Sequence, residues 1–357
     1  MKVSYFETAR YRAPGKLPSE WPVPPAVYDL DAGAEAYRGM VERAQHVERL
    51  GFDWLSVSEH HYSPRRLTPA PIVVASHLAA NSTRIKIAVL GPIVSQGNPV
   101  RIAEELALLD NLMPGRLVCG LLRGTTGEYL SYGLNPEEAR ERTTEGMELI
   151  LKAWTEPQAF GWQGRHFQFR TVAVWPRPLQ QPYPPTYALG TSRESCEFAA
   201  RHHLGLGLSY APFEVCAKAT RYYREACARH DWQPAPDQII YRANILLAET
   251  DAEAGAALKN PLAHSPLPMP AGVRDALIKL DSRNVAGEIR TTNVGGTLPT
   301  NFFGSPDTVI DQVKRCHDQA GIGVLDLFFQ TRDADPGTLM GTLELFGEKV
   351  LPHIRDV

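Results

Sequence analysis

The sequence predicts an α/β fold of the (β/α)8 TIM-barrel type. Short runs of β-branched and apolar residues alternate with longer segments of helical period, and the count reaches eight of each. Regular alternation with equal numbers is typical of a closed barrel rather than an open sheet. No linker or change of composition divides the 357 residues, so we expect one domain over 1–357.

Each predicted strand is a short apolar run that ends at polar residues or glycine. The eight strands are predicted at residues 2–6, 53–57, 85–90, 116–121, 187–190, 205–208, 239–248 and 324–328. The segments between them carry apolar residues at three- and four-residue spacing, as at Val100, Ala103, Leu106, Leu109 and Leu112. These apolar stripes predict the helices that cover the barrel.

Two segments depart from this alternation. Residues 161–174 alternate and carry aromatic side chains, which predicts a β-hairpin before the fifth strand. Residues 251–303 are rich in proline, glycine and polar residues and far exceed a usual βα connection, which predicts a lid-like insertion. After it, Ser305, Pro306 and Asp307 supply the cap, the proline and the early acid of a helix start.

Composition narrows the class of partner. A net charge of −3 without any block of like charges argues against nucleic acid and against an anionic membrane surface. Five cysteines without a C-x-x-C pair predict neither a disulfide framework nor a zinc site, which fits the cytoplasm. No apolar run has the length of a signal peptide or of a membrane span. The expected partner is a small molecule.

A histidine at the end of the second strand is the first candidate for chemistry, because a TIM barrel places its active site where the strands end. Ser58, Glu59, His60 and His61 follow that strand. Adjacent side chains of an extended chain point to opposite sides, so the two histidines are not expected to bind one metal ion. One of them, with a pKa near neutrality, can act as general acid or base. A structural pair in a loop is the alternative.

Two loops predict an anion site. Arg123 follows the fourth strand among glycine and hydroxyl residues, and Thr191, Ser192 and Ser195 join the fifth strand to its helix. Because strands four and five are neighbours in a barrel, both loops are expected to meet at one phosphate. The alternatives are an arginine paired with an acid at the rim, and an ordinary helix cap by Ser192.

Leu90 and Gly91 stand where the predicted third strand ends, and the polar loop 95–98 follows. The backbone of this loop could lie against a flat ring; a plain loop without a ligand is the alternative. The candidate pocket residues beside the strand ends are Phe6, Ser58, Tyr62 and Tyr210.

Neither a Gly-x-Gly-x-x-Gly fingerprint, a Walker A sequence nor a Gly-x-Ser-x-Gly elbow occurs in the sequence, which disfavours nucleoside-triphosphate and serine-hydrolase chemistry.

Four motifs occur in a characteristic order. They are Gly51-Phe52-Asp53 with Glu59-His60-His61, the run 99–105 with Leu108-Leu109-Asp110, Gly115-Arg116-Leu117 with Arg123-Gly124, and Trp175-Pro176-Arg177-Pro178. In this order and spacing the sequence resembles the bacterial luciferase-like family of flavin-dependent monooxygenases. The resemblance covers nearly the whole chain and is weakest over 251–303.

The resemblance implies a TIM barrel that binds reduced FMN (FMNH2), delivered by a separate NAD(P)H:flavin reductase. It implies that O2 is activated as a flavin peroxide and that a small aldehyde-like, ketone-like or heteroatom-containing substrate is oxidised. It further implies a homodimer or a pairing with a homologous subunit. Two alternatives remain, an F420-dependent oxidoreductase of similar architecture and a non-catalytic flavin-binding or partner subunit.

The same resemblance implies roles for individual residues. His60 matches the family's catalytic histidine. The implied cofactor contacts are Glu59, Leu90, Gly91, Arg123, Thr191, Ser192 and Ser195. The Leu90–Gly91 bond matches a non-proline cis peptide beneath the flavin ring, and Leu122 stands where luciferases carry a reactive cysteine. Thr191 departs from the acid that luciferases have at that position.

Overall fold

Eight parallel strands close into a barrel in the computed structural model, which describes residues 1–18, 22–258, 301–331 and 336–357. The strands are β1 (Lys2–Phe6), β2 (Trp54–Val57), β3 (Lys86–Ile93), β4 (Leu117–Leu122), β5 (Phe160–Gln163), β6 (Gln168–Val172), β7 (Thr186–Leu189), β8 (Gly205–Ser209), β9 (Ile239–Leu247), β10 (Phe302–Gly304) and β11 (Val324–Phe329). Around the ring the order is β1-β2-β3-β4-β7-β8-β9-β11, and β11 pairs with β1. The predicted TIM barrel is confirmed.

Helices cover the outside of this ring. They are α1 (Leu30–Leu50), α2 (Pro71–Ala80), α3 (Pro99–Leu112), α4 (Thr126–Ser131), α5 (Ala139–Thr155), α6 (Arg193–Arg201), α7 (Phe213–Arg229), α8 (Asp251–Leu258), α9 (Pro306–Ala320), α10 (Pro336–Lys349) and α11 (Leu351–Ile354). Within the described parts of the chain, no helix combines the length and the apolar character that crossing a membrane requires.

Alternation along each strand sorts the side chains between two cores. In β11, Leu325, Leu327 and Phe329 belong to the large apolar core shared with the helices. Asp326 and Phe328 therefore face the inside of the barrel. The same period turns alternate residues of β1, β2 and β9 inward.

The inside of the barrel is layered. An apolar layer fills the N-terminal end with Trp54, Ala88, Leu90, Val118, Tyr187, Ile240 and Val324. Above it the strand register places Asp326 beside both Ser4 and Arg242, which makes a polar layer. The apolar layer seals one end, so a ligand enters from the C-terminal mouth.

Three details differ from the prediction, namely β3, α4 and the ends of the lid, and the predicted hairpin agrees with it. β3 continues to Ile93, so Leu90 and Gly91 lie within the strand rather than at its end. The short helix α4 is absent from the sequence prediction. The predicted hairpin is confirmed, since β5 and β6 form a separate antiparallel pair. Most of the predicted lid, 259–300, lies outside the described residues, and its described ends form α8 and β10 instead of loop.

Candidate active site

His60 lies at the barrel mouth, where the chain leaves β2. Its Nε2 is 3.2 Å from the Ser58 hydroxyl and 3.4 Å from Nη1 of Arg66. An arginine N–H can only donate, so Nε2 is the accepting nitrogen and Nδ1 carries the hydrogen. Nδ1 faces the Glu128 carboxylate on α4, at 3.8 Å from Oε1.

Burial sets the charge of His60. Burial is the largest cause that lowers its pKa, Arg66 and Arg242 add to it, Glu128 partly offsets them, and together they bring the pKa of the imidazole to about 4. This corrects the expectation of a pKa near neutrality. At pH 7 the ring is neutral, and it is suited to accept a proton or a hydrogen bond rather than to donate its acidic proton.

Glu59 and His61 hydrogen-bond to each other, and Glu59 also bonds to the end of β3. Glu59 Oε1 is 2.7 Å from Nε2 of His61, and Oε2 accepts a hydrogen bond of 2.9 Å from the backbone N–H of Ile93. Both carboxylate oxygens are thus used within the chain, at the end of β3. His60 and His61 thus face different carboxylates, Glu128 and Glu59.

A buried ion pair lies directly beneath the mouth. Arg242 Nε donates to Asp326 at 2.6 Å, and Ser56 Oγ donates to the other carboxylate oxygen at 2.6 Å. The guanidinium carbon of Arg242 lies 3.7 Å from the centre of the Phe6 ring. Arg242 also donates to Ser58 at 3.3 Å, which connects the polar layer to His60.

A second polar group forms where β7 leads into α6. Ser192 caps the helix by accepting from the Ser195 backbone N–H, and the two hydroxyl oxygens are 3.0 Å apart. Arg140, at the start of α5, donates to the Ser192 hydroxyl at 3.1 Å and lies 3.4 Å from Glu194. A Cβ on Gly190 would come within 2.6 Å of Ser195 Oγ, so glycine lets that hydroxyl approach the loop.

Arg123 follows β4 at the same edge of the barrel. β4 pairs with β7 through Leu121 and Ala188, so Arg123 and the loop containing Thr191 and Ser192 leave neighbouring strands. The Ser95 hydroxyl donates to the Arg123 carbonyl at 2.7 Å and so fixes its backbone. The helix cap expected as the alternative at Ser192 is present, and it is itself part of this polar group.

The Leu90–Gly91 peptide is cis, as expected from the resemblance. A Cβ on Gly91 would approach the Gly120 carbonyl oxygen to 1.7 Å, so this contact between β3 and β4 requires glycine. Leu122 ends β4 beside it.

The predicted pocket residues differ in their surroundings. Phe6 is buried at the end of β1, and its ring centre is 6.3 Å from that of His60. Tyr210, after β8, is also buried and adopts a positive φ of 55°. Tyr62 is 57% exposed and donates to the Ser131 carbonyl, so it belongs to the rim rather than to the interior.

Sequence reasoning missed several charged residues of the mouth. They are Arg10, Arg66, Glu128, Arg140, Arg242 and Asp326. A signal existed for two of them, because Arg242 and Asp326 interrupt otherwise apolar strands, where a charge needs a buried partner.

Among the described residues, no three histidine, cysteine, aspartate or glutamate side chains gather as metal ligands. All five cysteines are buried thiols. A separate cleft of about 390 Å³ opens at the N-terminal end of the barrel, where Lys2 pairs with Asp237, and none of the predicted site residues lines it.

Known proteins with similar sequences give the chain its family. Residues 17–322 match the luciferase-like monooxygenase family. The alkanal monooxygenase beta chain of Vibrio harveyi is 26% identical over 72% of this chain and 78% of its own. The oxygenase component of the flavin-dependent trigonelline monooxygenase of Acinetobacter baylyi is 25% identical over 64% and 65%. The uncharacterized protein y4wF of Sinorhizobium fredii is 32% identical over 48% of this chain, which spans 50% of that relative.

Solved structures share the barrel. The oxygenating constituent of 3,6-diketocamphane monooxygenase from Pseudomonas putida, a type II Baeyer-Villiger monooxygenase in complex with FMN, superposes with a TM-score of 0.73 at 17% identity, over 99% and 98% of the two chains. An F420-dependent secondary alcohol dehydrogenase superposes with a TM-score of 0.69 at 17% identity, over 99% of each chain. At these identities the likeness shows the fold alone and does not separate the two cofactors.

Proposed function

This chain belongs to the luciferase-like monooxygenase family, and from that premise we propose that it is a flavin-dependent monooxygenase that uses reduced FMN. The observation that carries the choice of a phosphate-bearing flavin is the polar group at the start of α6. Ser192, Ser195 and Arg140 present two hydroxyls and a guanidinium beside a helix N-terminus. This donor set suits a phosphate.

The residues of the mouth fit the remainder of such a cofactor. Arg123 follows β4 and Thr191 follows β7, and these two strands are neighbours in the barrel. Both residues are expected to complete the phosphate-binding group of Ser192, Ser195 and Arg140. We expect the flat ring to lie near the backbone of Leu90 and Gly91, toward the C-terminal end of β3. Bound reduced FMN supplies the electrons that activate O2, so that one oxygen atom enters the substrate and the other leaves as water.

His60 and its neighbours then act on the substrate. Neutral Nε2 accepts a proton or a hydrogen bond from the reacting group, while Glu128 orients the ring through Nδ1. Ser58 lies within hydrogen-bonding reach of the same nitrogen. Phe6 and Phe328, whose ring centres lie 5.9 Å apart, are the aromatic side chains beside this position. A small carbonyl compound or a heteroatom compound fits this chemistry.

We expect two kinds of protein partner. One is a separate NAD(P)H:flavin reductase, since a relative is named as the oxygenase component of its system. The other is a second copy or a homologous subunit, since another relative is a beta chain.

The test compares FMN with riboflavin, which lacks the phosphate. Flavin fluorescence measures both dissociation constants in the wild type and in Arg140→Gln, Arg123→Ala and Arg165→Gln. Arg165 is an exposed residue of the β5–β6 hairpin and serves as the control. Loss of a charge-assisted bond of about 1.5–3 kcal/mol should weaken FMN about ten- to a hundredfold in the first two variants. Riboflavin should be unaffected.

Equal weakening of FMN and riboflavin would show that neither arginine binds the phosphate. Oxygen consumption with FMN, NADH, a flavin reductase and air then tests turnover. Reaction with reduced F420 and none with reduced FMN would assign the chain to the hydride-transferring class instead. Binding of FMN without any oxygen consumption or substrate turnover would indicate a non-catalytic subunit.

A further inference from the structure

Two arginines lie across the mouth from the residues proposed to bind the flavin phosphate. Around the ring, β11 and β1 stand opposite β4 and β7. Arg10 follows β1, Arg66 lies on the loop after β2, and an antiparallel bridge joins their backbones. Both guanidinium groups lie over the Phe328 ring of β11, at 4.5 and 5.5 Å from its centre. We call Arg10 and Arg66 the arginine pair.

No carboxylate of the described residues forms an ion pair with either member of the arginine pair. Arg10 donates one bond to the Phe329 carbonyl, and its buried Nε finds no acceptor among these residues. Arg66 contacts His60, which is neutral. The third nearby cation, Arg242, already holds Asp326. Glu7 and Glu128 act on Arg10 and Arg66 only from a distance, because Glu7 pairs with Arg43 and Glu128 faces His60. The pair therefore keeps two positive charges side by side with no carboxylate in contact, which favours the binding of an anion.

Tyr210 is an independent sign of a missing acceptor. Only 7% of this residue is exposed, and its hydroxyl has no hydrogen-bond partner among the described residues. Buried phenol groups are nearly always hydrogen-bonded. Burial raises its pKa, and Arg66, Arg242 and Arg10 are the cations that act on it, so the hydroxyl is a neutral donor beside the arginine pair.

We propose that the substrate of this enzyme is a small organic acid whose carboxylate is held by Arg10, Arg66 and the hydroxyl of Tyr210. The planar guanidinium groups match the two oxygens of a carboxylate. Because Arg66 also contacts His60, a carboxylate in this position directs the rest of the molecule toward His60 and toward the flavin side of the mouth. The inference rests on the proposed function for the reaction, but the binding of an acid stands apart from it.

Matched pairs of an acid and its amide test the proposal by calorimetry. Benzoate and benzamide, hexanoate and hexanamide, and indole-3-acetate and indole-3-acetamide differ in charge but little in shape. In at least one pair the wild type should bind the acid about tenfold more tightly or better. Arg66→Gln, Arg10→Gln and Tyr210→Phe should each reduce that preference and leave the amide unchanged. Arg38→Gln, an exposed residue of α1, should change nothing.

Several outcomes would overturn the proposal. One is that no acid binds more tightly than its amide. Another is that inorganic phosphate binds as tightly as the acids, so that the organic part contributes nothing. A third is that Arg66→Gln weakens FMN as much as the acid, which would assign the arginine pair to the flavin. Arg66→Lys retains the charge, so an intermediate preference in this variant excludes misfolding of Arg66→Gln as the cause.

Failure of the proposed function has a different signature. If the chain binds no flavin or consumes no oxygen, but the acid preference and its loss in Arg66→Gln persist, the anion site stands and the reaction is wrong. If flavin binding and oxygen consumption are normal but the preference is absent, the substrate class is wrong.

Discussion

Replacing His60 by asparagine removes an imidazole that the fold keeps neutral, and the consequence is a change in how stability depends on pH. The pKa of His60 is about 4 in the folded chain against 6.5 as its ordinary value. Between these values the unfolded chain binds a proton at His60 and the folded chain does not. The contribution of neutral His60 to the free energy of unfolding is therefore complete above pH 6.5, and it is lost as the pH falls toward 4.

The size of the effect follows from these two pKa values. A pKa that differs by one between the folded and the unfolded chain corresponds to about 1.4 kcal/mol of stability. Most of the difference between 6.5 and about 4 is expressed between pH 7 and pH 5. Over that range the wild type should lose about 2 kcal/mol of unfolding free energy more than His60→Asn. The packing cost of the substitution is the same at each pH and does not enter this difference.

Urea unfolding at pH 7, 6 and 5 measures the quantity directly. His60→Gln serves as a second variant of different shape, because it must show the same pH dependence as His60→Asn. A difference between wild type and variants that stays constant from pH 7 to 5 would refute the burial argument. A difference that grows in favour of the wild type at low pH would mean that Glu128 dominates and that His60 is charged.

Two further predictions concern the partners of this histidine and the layer beneath it. Glu128→Gln removes the group that favours protonated His60, so the pKa of His60 should fall further below its ordinary value, as an NMR titration of the imidazole would report; a rise would mean that Glu128 does not act on His60. Asp326→Asn leaves the Arg242 charge buried without compensation and should cost about 3–5 kcal/mol in urea unfolding. Loss no larger than in Arg38→Gln, which breaks an exposed pair, would show that Arg242 is already solvated.

The barrel was predictable because its signals are local. Helical stripes such as Val100 to Leu112 and short apolar runs such as β11 indicate the elements directly, and a closed ring is what eight such units form. Their order along the chain also placed Arg123 and the Ser192 loop on neighbouring strands. The candidate residues at strand ends follow from the same rule, and their roles stay predictions.

What the sequence hid depends on register and burial. Arg242 and Asp326 lie 84 residues apart, and only the pairing of β9 with β11 brings them side by side. Arg10 and Arg66 meet through a bridge between two loops, which no periodicity marks. Glu128 lies on a helix of six residues, too short to show an apolar stripe. The low pKa of His60 follows from burial, which a strand-end position alone does not predict.

Burial and the neighbouring arginines explain why a neutral histidine stands in the mouth. In the proposed arrangement a phosphate lies at the β4–β7 side and a carboxylate at the β1–β11 side, so the reacting parts of flavin and substrate meet between two fixed anions. A protonated His60 would face Arg66 across 3.4 Å and lose the acceptor that Arg66 uses. Neutral, it accepts from Arg66 until a substrate arrives and can then accept from the substrate instead. Burial of His60 is therefore the condition under which one residue can accept a hydrogen bond first from Arg66 and then from the substrate.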